Sequence, residues 1–461
     1  MKNVLRVIRP FIFIIPFCLL LLSSEVFAED TGELGPQSTQ SFGEKKILIV
    51  VVKFRDAPSS IPIQRVKNRV VRGFKQYVSE QSYGLASIKT DFRGPVVLPD
   101  SLHRYRIEPY NFKVDKNRIR KLIEDTMTVI EIDVDFSSYD HMLIIPALHT
   151  TAGKGYGMIC YCANPGMLSG VTKRYVPKYL TLASAGGNEF SGGVFVGTEN
   201  AHLGMFAHDY FHALAGIEGD RRLVPCLYDF ERQSDASRGL PSFEKHAIYM
   251  GFWDIMSQHF VERSEPPQGL SSFTKIRLGW IKKNQVQIVK PGDTLYTSLF
   301  PLSEGGERLV VKIPMDNGTY YLVENRQRVG YDKILPDSGI LILKVHPDAP
   351  EGYGTVRVQF PDTSGDFTNA TFKLREKKRN IFTDKANGIS IIPLWKQKNR
   401  QGVLVTYPGD HTKDAIKAAE AIQALIDKDM EKEQVVVKKA IAAFKQSDYK
   451  ASYAIAANEK E

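Results

Sequence analysis

The chain has 461 residues, of which 43% are hydrophobic and 25% charged, with a formal net charge of +9. That length is too great for one small core and suggests two or three structural units. Charges of both signs are spread along the chain without a dense Lys/Arg block, which argues against nucleic acid as a partner. The mildly basic surface suits contact with anionic cell-envelope polymers.

Residues 1–28 read as a signal peptide. Lys2, Arg6 and Arg9 form a basic start, Phe11 to Leu22 an apolar run, and Val26-Phe27-Ala28 a small-residue exit suited to cleavage after Ala28. The apolar run is shorter than the roughly 20 residues needed to span a bilayer. No later stretch is long and apolar enough to be transmembrane, so a secreted or periplasmic protein is expected. Cleavage removes three basic residues and Glu25, which takes the net charge from +9 to +7.

Residues 29–44 are polar and read as a flexible leader. A first, mixed α/β unit is expected over 45–285. Lys46 to Phe54 is a continuous apolar run of the kind found in a buried central strand. Helical character follows through Tyr77, and Ile88 to Val97 and Asp140 to Ala147 read as further strands. Three cysteines remain after cleavage, Cys160, Cys162 and Cys226. They allow one disulfide, and Cys160 and Cys162 are too close in sequence for an easy mutual bridge, so any pair should involve Cys226.

A β-rich, sandwich-like unit is expected over 286–408. Arg308 to Pro314 and Thr319 to Glu324 flank Asp316-Asn317-Gly318, a hairpin signal that predicts a type I′ turn. Gly339 to Val345, Gly354 to Phe360, Phe367 to Lys373 and Gly402 to Tyr407 continue the strand pattern. Over 409–461 the apolar residues Ile416, Ala419, Ile422, Ile426, Val437, Ile441 and Phe444 recur at helical spacing, which predicts an amphipathic helical tail.

The segment that carries chemistry is Phe206-Ala207-His208-Asp209-Tyr210-Phe211-His212. Two histidines four apart share one helical face, so both imidazoles can reach one zinc ion at about 2.0–2.1 Å. The HExxH motif of zinc peptidases adds a glutamate after the first histidine as general base. Here that residue is Asp209, a carboxylate one methylene shorter. Leu203, Phe206, Ala207, Phe211 and Leu214 predict an amphipathic helix with Gly216 as its stop.

Several ordered segments resemble the immune inhibitor A family of secreted zinc metallopeptidases. Gln81-Ser82-Tyr83-Gly84 is similar to its SYG segment, and Asp135-Phe136-Ser137-Ser138-Tyr139-Asp140 to its DFxxYD. Trp253-Asp254-Ile255-Met256-Ser257 resembles the WDxMS turn, and Gly269-Leu270-Ser271 through Leu278-Gly279-Trp280 the GLSxxxKxxLGW run. Glu324-Asn325-Arg326-Gln327, then Gly330-Tyr331-Asp332 and Leu335-Pro336, resemble the closing ENRQ and gyDxxLP segments.

The resemblance implies an α+β protein: a metzincin-like catalytic domain, then the β-rich domain and the helical tail. It also implies zinc on His208, His212 and a third ligand, with Met256 packed beneath the metal. The chain departs from the family at Asp209, at Phe211 in place of glycine, and after His212. By spacing, Glu218 lies ten residues after His208, where the family has its aspartate ligand; by local pattern, Val224-Pro225-Cys226-Leu227-Tyr228-Asp229 puts Cys226 there. Glu218 ranks first, Cys226 second and Asp220 third. The expected function is zinc-dependent cleavage of protein or peptide substrates, with Asp209 as base. The alternative is an inactive homologue that binds peptide or cell-envelope material.

Overall fold

The computed structural model describes residues 33–57, 61–106, 114–149, 160–170, 176–234, 249–407, 411–428 and 431–457. The proposed signal peptide lies outside them. The protein is a mixed α+β structure. In chain order its principal elements begin with β1 (Gly43–Lys53), a helical run from Ile63 that ends in α1 (Phe74–Gln81), and β2 (Ala86–Val97). Then come α2 (Lys116–Ile130), β3 (His141–Pro146), β4 (Cys160–Asn164), β5 (Gly193–Gly197), α3 (Leu203–Ala215) and α4 (Ser272–Arg277). The β-rich part comprises β6 (Val286–Ile288), β7 (Leu295–Leu299), β8 (Val310–Pro314), β9 (Tyr320–Arg326), β10 (Gly339–Val345), β11 (Val356–Val358), β12 (Phe382–Asp384), β13 (Ile389–Gln397) and β14 (Arg400–Thr406). The tail is α5 (Thr412–Ile426), α6 (Glu431–Lys445) and α7 (Tyr449–Ala457).

The first sheet has the order β2-β1-β3-β5-β4, parallel except for β4, which runs antiparallel along β5 at the edge. The period-two alternation of side chains, with both faces covered, explains why β1 is apolar from Ile47 to Val52. Leu48, Val50 and Val52 pack with Ile119, Leu122, Ile123 and Met127 of α2. Ile47, Ile49 and Val51 face the opposite way, into a core shared with Phe74 and Tyr77 of α1 and Phe206, Tyr210 and Phe211 of α3.

The same alternation joins the two halves. In the second sheet, β6-β8-β9-β10-β11, Val310, Leu322, Leu341 and Leu343 enter the core around α3, while Val311, Ile313, Tyr321, Val323, Ile340 and Ile342 point outward. There they meet Ile389, Ile391, Val403 and Val405 of the third sheet, β7-β14-β13-β12. The far face of that third sheet, with Ile392, Leu394 and Leu404, is covered by the helical tail. Helix, sheet, helix, sheet, sheet and helix thus stack in sequence.

Four details differ from the sequence reading. The Asp316-Asn317-Gly318 turn is one residue longer than type I′: Gly318 at φ 78° is its positive-φ residue, and Gly318 N donates to Met315 O at 3.0 Å. This is the pattern of a type I turn followed by a G1 bulge. Phe367 to Lys373 is not a strand, because Asp366 caps a tight turn by accepting from Thr368 N at 2.8 Å. Strand β13 was not anticipated, since Pro393 interrupts its pattern; the proline sits beside a register shift, where its missing N–H is tolerated. The leader from residue 33 is not free. Gln37 donates to Ile276 O at 2.9 Å, Ser38 N to Arg277 O at 2.8 Å, and Trp280 Nε1 to Ser41 O at 2.9 Å, which pins it along α4.

The tail is held by an aromatic cluster in which Phe444, 1% exposed, meets Trp395 at 5.1 Å and Tyr449 at 4.9 Å between ring centroids. Phe444→Ala is expected to lower unfolding stability by about 3–5 kcal/mol. Denaturant unfolding, together with amide exchange across 412–457, checks this; unchanged stability would mean that the tail is not docked as described.

Candidate metal centre

Helix α3 is buried along its whole length, not along one stripe as its spacing suggested. It lies between two sheets, so every face is covered. His202 caps its start by accepting from Gly204 N at 3.0 Å. Gly204 itself is required, because a Cβ there would collide with the carbonyl oxygen of His259. Gly216, at φ 78°, ends the helix.

Within α3 the two histidines are aimed by backbone carbonyls. His208 Nδ1 lies 2.9 Å from Ile255 O and His212 Nδ1 2.7 Å from Val224 O. Each carbonyl can only accept, so each Nδ1 carries the proton and each Nε2 offers a lone pair. The two Nε2 atoms are 3.0 Å apart, and Cys226 Sγ lies 3.3 Å from that of His212 and 3.7 Å from that of His208. Tetrahedral zinc with ordinary bond lengths separates nitrogen ligands by about 3.3 Å and nitrogen from sulfur by about 3.6 Å. The donor set therefore fits a metal ion within a few tenths of an ångström. His208, His212 and Cys226 are 3%, 1% and 4% exposed.

The third member of this group is Cys226, and Glu218, the first choice on spacing, is not in it. Glu218 is exposed on a short hairpin in which Ile217–Glu218 pairs with Arg221–Arg222. That hairpin absorbs the extra residues between α3 and Cys226, so counting from His208 ends on a residue outside the group. Asp220 is exposed on the same hairpin, beside Arg221. Cys160, Cys162 and Cys226 are all free, without a disulfide.

Asp209 is buried on another side of the helix. The Cys160 thiol and the Cys162 backbone amide of edge strand β4 approach its carboxylate, and burial pushes its carboxyl up to about 7. Burial also holds His208 down to about 3 and His212 well below the ordinary imidazole value, so both rings are neutral, as ligation requires. Around the cluster, Tyr228 stacks on His208 with ring centroids 5.9 Å apart, and its hydroxyl reaches Cys226. His259 meets His208 edge-on at 4.5 Å.

The turn Trp253-Asp254-Ile255-Met256 is the bracket beneath the centre. Its Ile255 carbonyl aims His208, and its Met256 carbonyl accepts from Leu227 N at 2.8 Å, next to Cys226. A buried polar network holds the bracket. Arg326 donates to Trp253 O at 3.0 Å and Glu324 at 3.0 Å, and to both oxygens of Asp332 at 2.9 and 2.8 Å. Asp254 accepts from Met256 N at 2.8 Å, Ser271 N at 2.9 Å and Thr274 Oγ1 at 2.6 Å. Glu324 receives Ser272 N, Asp332 receives Gly269 N, and Gln81 receives Leu270 N.

Lys275 closes the network, donating to Gln81 O at 2.6 Å over the ring of Tyr83. Sequence reading located the histidines and the cysteine candidate but not Arg222, Glu351, Tyr228 or His259 around them. Glu351 contacts Cys226 from 125 positions away, a distance no local pattern spans. No family model matches the chain, and no curated protein matches it at a significant level.

Two outcomes are expected. Purified protein should carry about one zinc per chain, lost in His208→Ala, His212→Ala and Cys226→Ala and kept in Glu218→Ala. Elemental analysis decides, and loss in Glu218→Ala would restore the carboxylate as ligand. Burial lowers Lys275 to about 7 from an ordinary 10.5, so between those values the unfolded chain binds a proton that the folded chain does not. Stability from this group therefore rises with pH across that window. Lys275→Met should flatten that rise in unfolding experiments from pH 7 to 10; an unchanged slope would show that Lys275 is charged when folded.

Proposed function

We propose that this chain is an exported, zinc-dependent endopeptidase with a metzincin-like catalytic domain, as its resemblance to the immune inhibitor A family implies. The observation that carries the reading is the convergence of His208 Nε2, His212 Nε2 and Cys226 Sγ over the Met256 bracket, with a carboxylate adjoining the first histidine. Zinc held there supplies Lewis acidity that polarises a peptide carbonyl and acidifies water.

The remaining work falls to the protein. Among the described residues, strand β4 is the edge of its sheet, and it adjoins the first histidine's helix through Asp209. Asp209 is tethered to β4 through Cys160 and Cys162, which set the position of the base. Asp209 takes the proton from water and passes it to the leaving amine. Met256, fully buried in the core that also encloses α3, supports the histidines by packing, as the resemblance implies. The substrate is a protein or peptide outside the cytoplasm, and the basic surface favours contact with the cell envelope. Among the described residues no helix is long and apolar enough to cross a membrane.

One observation favours a second reading, an inactive homologue that uses the same cleft to bind peptide or envelope material. The shortened Asp209 carboxylate stands outside the His208–His212–Cys226 group and is engaged by β4. Misplacing a base by about 1 Å can cost on the order of a hundredfold in rate.

The position of the base separates the two readings. Asp209→Glu should raise cleavage of an unstructured protein by about tenfold or more, and Asp209→Asn should abolish it, both with unchanged zinc content. A zinc-loaded parent and Asp209→Glu variant that both fail to cleave would establish the binding protein. Cleavage by Asp209→Asn at the parental rate would mean that another residue is the base.

A further inference from the structure

The reading above gives no part to the ion pair of Arg222 and Glu351, whose side chains are 3% and 13% exposed. Arg222 lies in the hairpin that separates His212 from Cys226, whereas Glu351 comes from the loop between β10 and β11. Arg222 Nε donates to Glu351 Oε2 at 3.1 Å, and a terminal nitrogen of the same guanidinium bonds Oε1. That terminal nitrogen also lies 3.5 Å from Cys226 Sγ. Glu351 Oε1 accepts from Cys226 N at 2.8 Å. Gly352 N then donates to Cys226 O at 3.4 Å, and Phe230 N to Gly352 O at 3.1 Å.

The arrangement is more than a cross-brace. A buried ion pair gains little stability over well-packed apolar residues, because both charges must leave water. Here the cation is directed at the ligand sulfur, and the carboxylate that orients it also bonds the backbone of the ligand residue. Only the planar guanidinium can serve Glu351 with two nitrogens while one of them touches sulfur; an ammonium lacks that fork. A thiolate donates more charge to a metal than the carboxylate expected from the family pattern, which weakens the metal as a Lewis acid. A cationic hydrogen bond to sulfur draws that charge back.

We propose that Arg222, oriented by Glu351, is a positioning residue for the sulfur ligand, holding Cys226 toward the two imidazoles and limiting the charge its sulfur donates. This rests on His208, His212 and Cys226 being the metal ligands.

The test loads the metal-free full chain with Co2+, whose sulfur-to-cobalt charge-transfer absorption reports on the ligand sulfur. The parent should show the band and Cys226→Ala should lose it; a parent without it refutes the ligand set itself, and the proposal with it. Given the band, Glu351→Gln and Arg222→Lys should still bind one Co2+ per chain. Their bands should move to lower energy, and affinity should fall by about 10- to 100-fold. Arg222→Met should shift the band further than Arg222→Lys. A purely structural ion pair predicts lower thermal stability with parental band energy and affinity, and that result would overturn the proposal while leaving the metal site standing. If Arg222→Met does not fold, Glu351→Gln decides, since it keeps the side-chain shape and an acceptor for Cys226 N.

Discussion

The buried guanidinium of Arg326 is the interaction on which the His208–His212–Cys226 cluster depends. It is fully enclosed, and four of its N–H donors are taken by Glu324, Asp332 and the carbonyl of Trp253. Through Trp253 it fixes the turn whose next carbonyls aim His208 and hold the Cys226 loop. Its two carboxylates in turn receive the backbone amides of Ser272 and Gly269. Removing one partner from such a network leaves a buried charge uncompensated, at a cost of about 3–5 kcal/mol. Since Arg326 belongs to β9 of the second sheet, the position of His208 on α3 is set from outside the first α/β unit.

The layered stack makes that long reach possible. Strands β8, β9 and β10 send alternate side chains into the core around α3 and into the interface with the third sheet. A shift of one residue in any of them would exchange the two sets. The division at residue 285 is therefore a change of local pattern along the chain, while the apolar core around α3 runs continuously across it.

The parts of this arrangement that could be read from sequence are those with a short physical period. The apolar run at Lys46 to Phe54 identified a strand buried on both faces, and the spacing of Ile416, Ala419 and Ile422 identified the tail helix. The ordered segments around Gln81, Asp254, Ser271, Arg326 and Asp332 suggested a shared purpose but not its nature: they converge in one polar network. What could not be read depends on long-range closure. Glu218 outranked Cys226 because counting residues assumes an uninterrupted path, and the hairpin at 217–222 interrupts it. Arg222 and Glu351 look like ordinary loop charges until the fold brings them to a sulfur atom. The leader at 33–44 was polar enough to suggest a solvated segment, yet its polar groups answer the exposed carbonyls at the end of α4.

The strap formed by that leader also has a consequence for how the protein acquires its structure. Its bonds to Ile276, Arg277 and Trp280 join residues about 240 positions apart, among the most distant closures in the chain. Cys226 waits similarly for Glu351. A chain emerging from its N-terminus can form β1 and α1 early, but it cannot seal the centre until most of its length is available. Contacts of such separation slow folding, because loop-closure entropy is lost before they form. Cys226 is thus a buried thiol whose surroundings are complete only late in assembly, so the order of folding events bears on when it comes to lie beside His208 and His212.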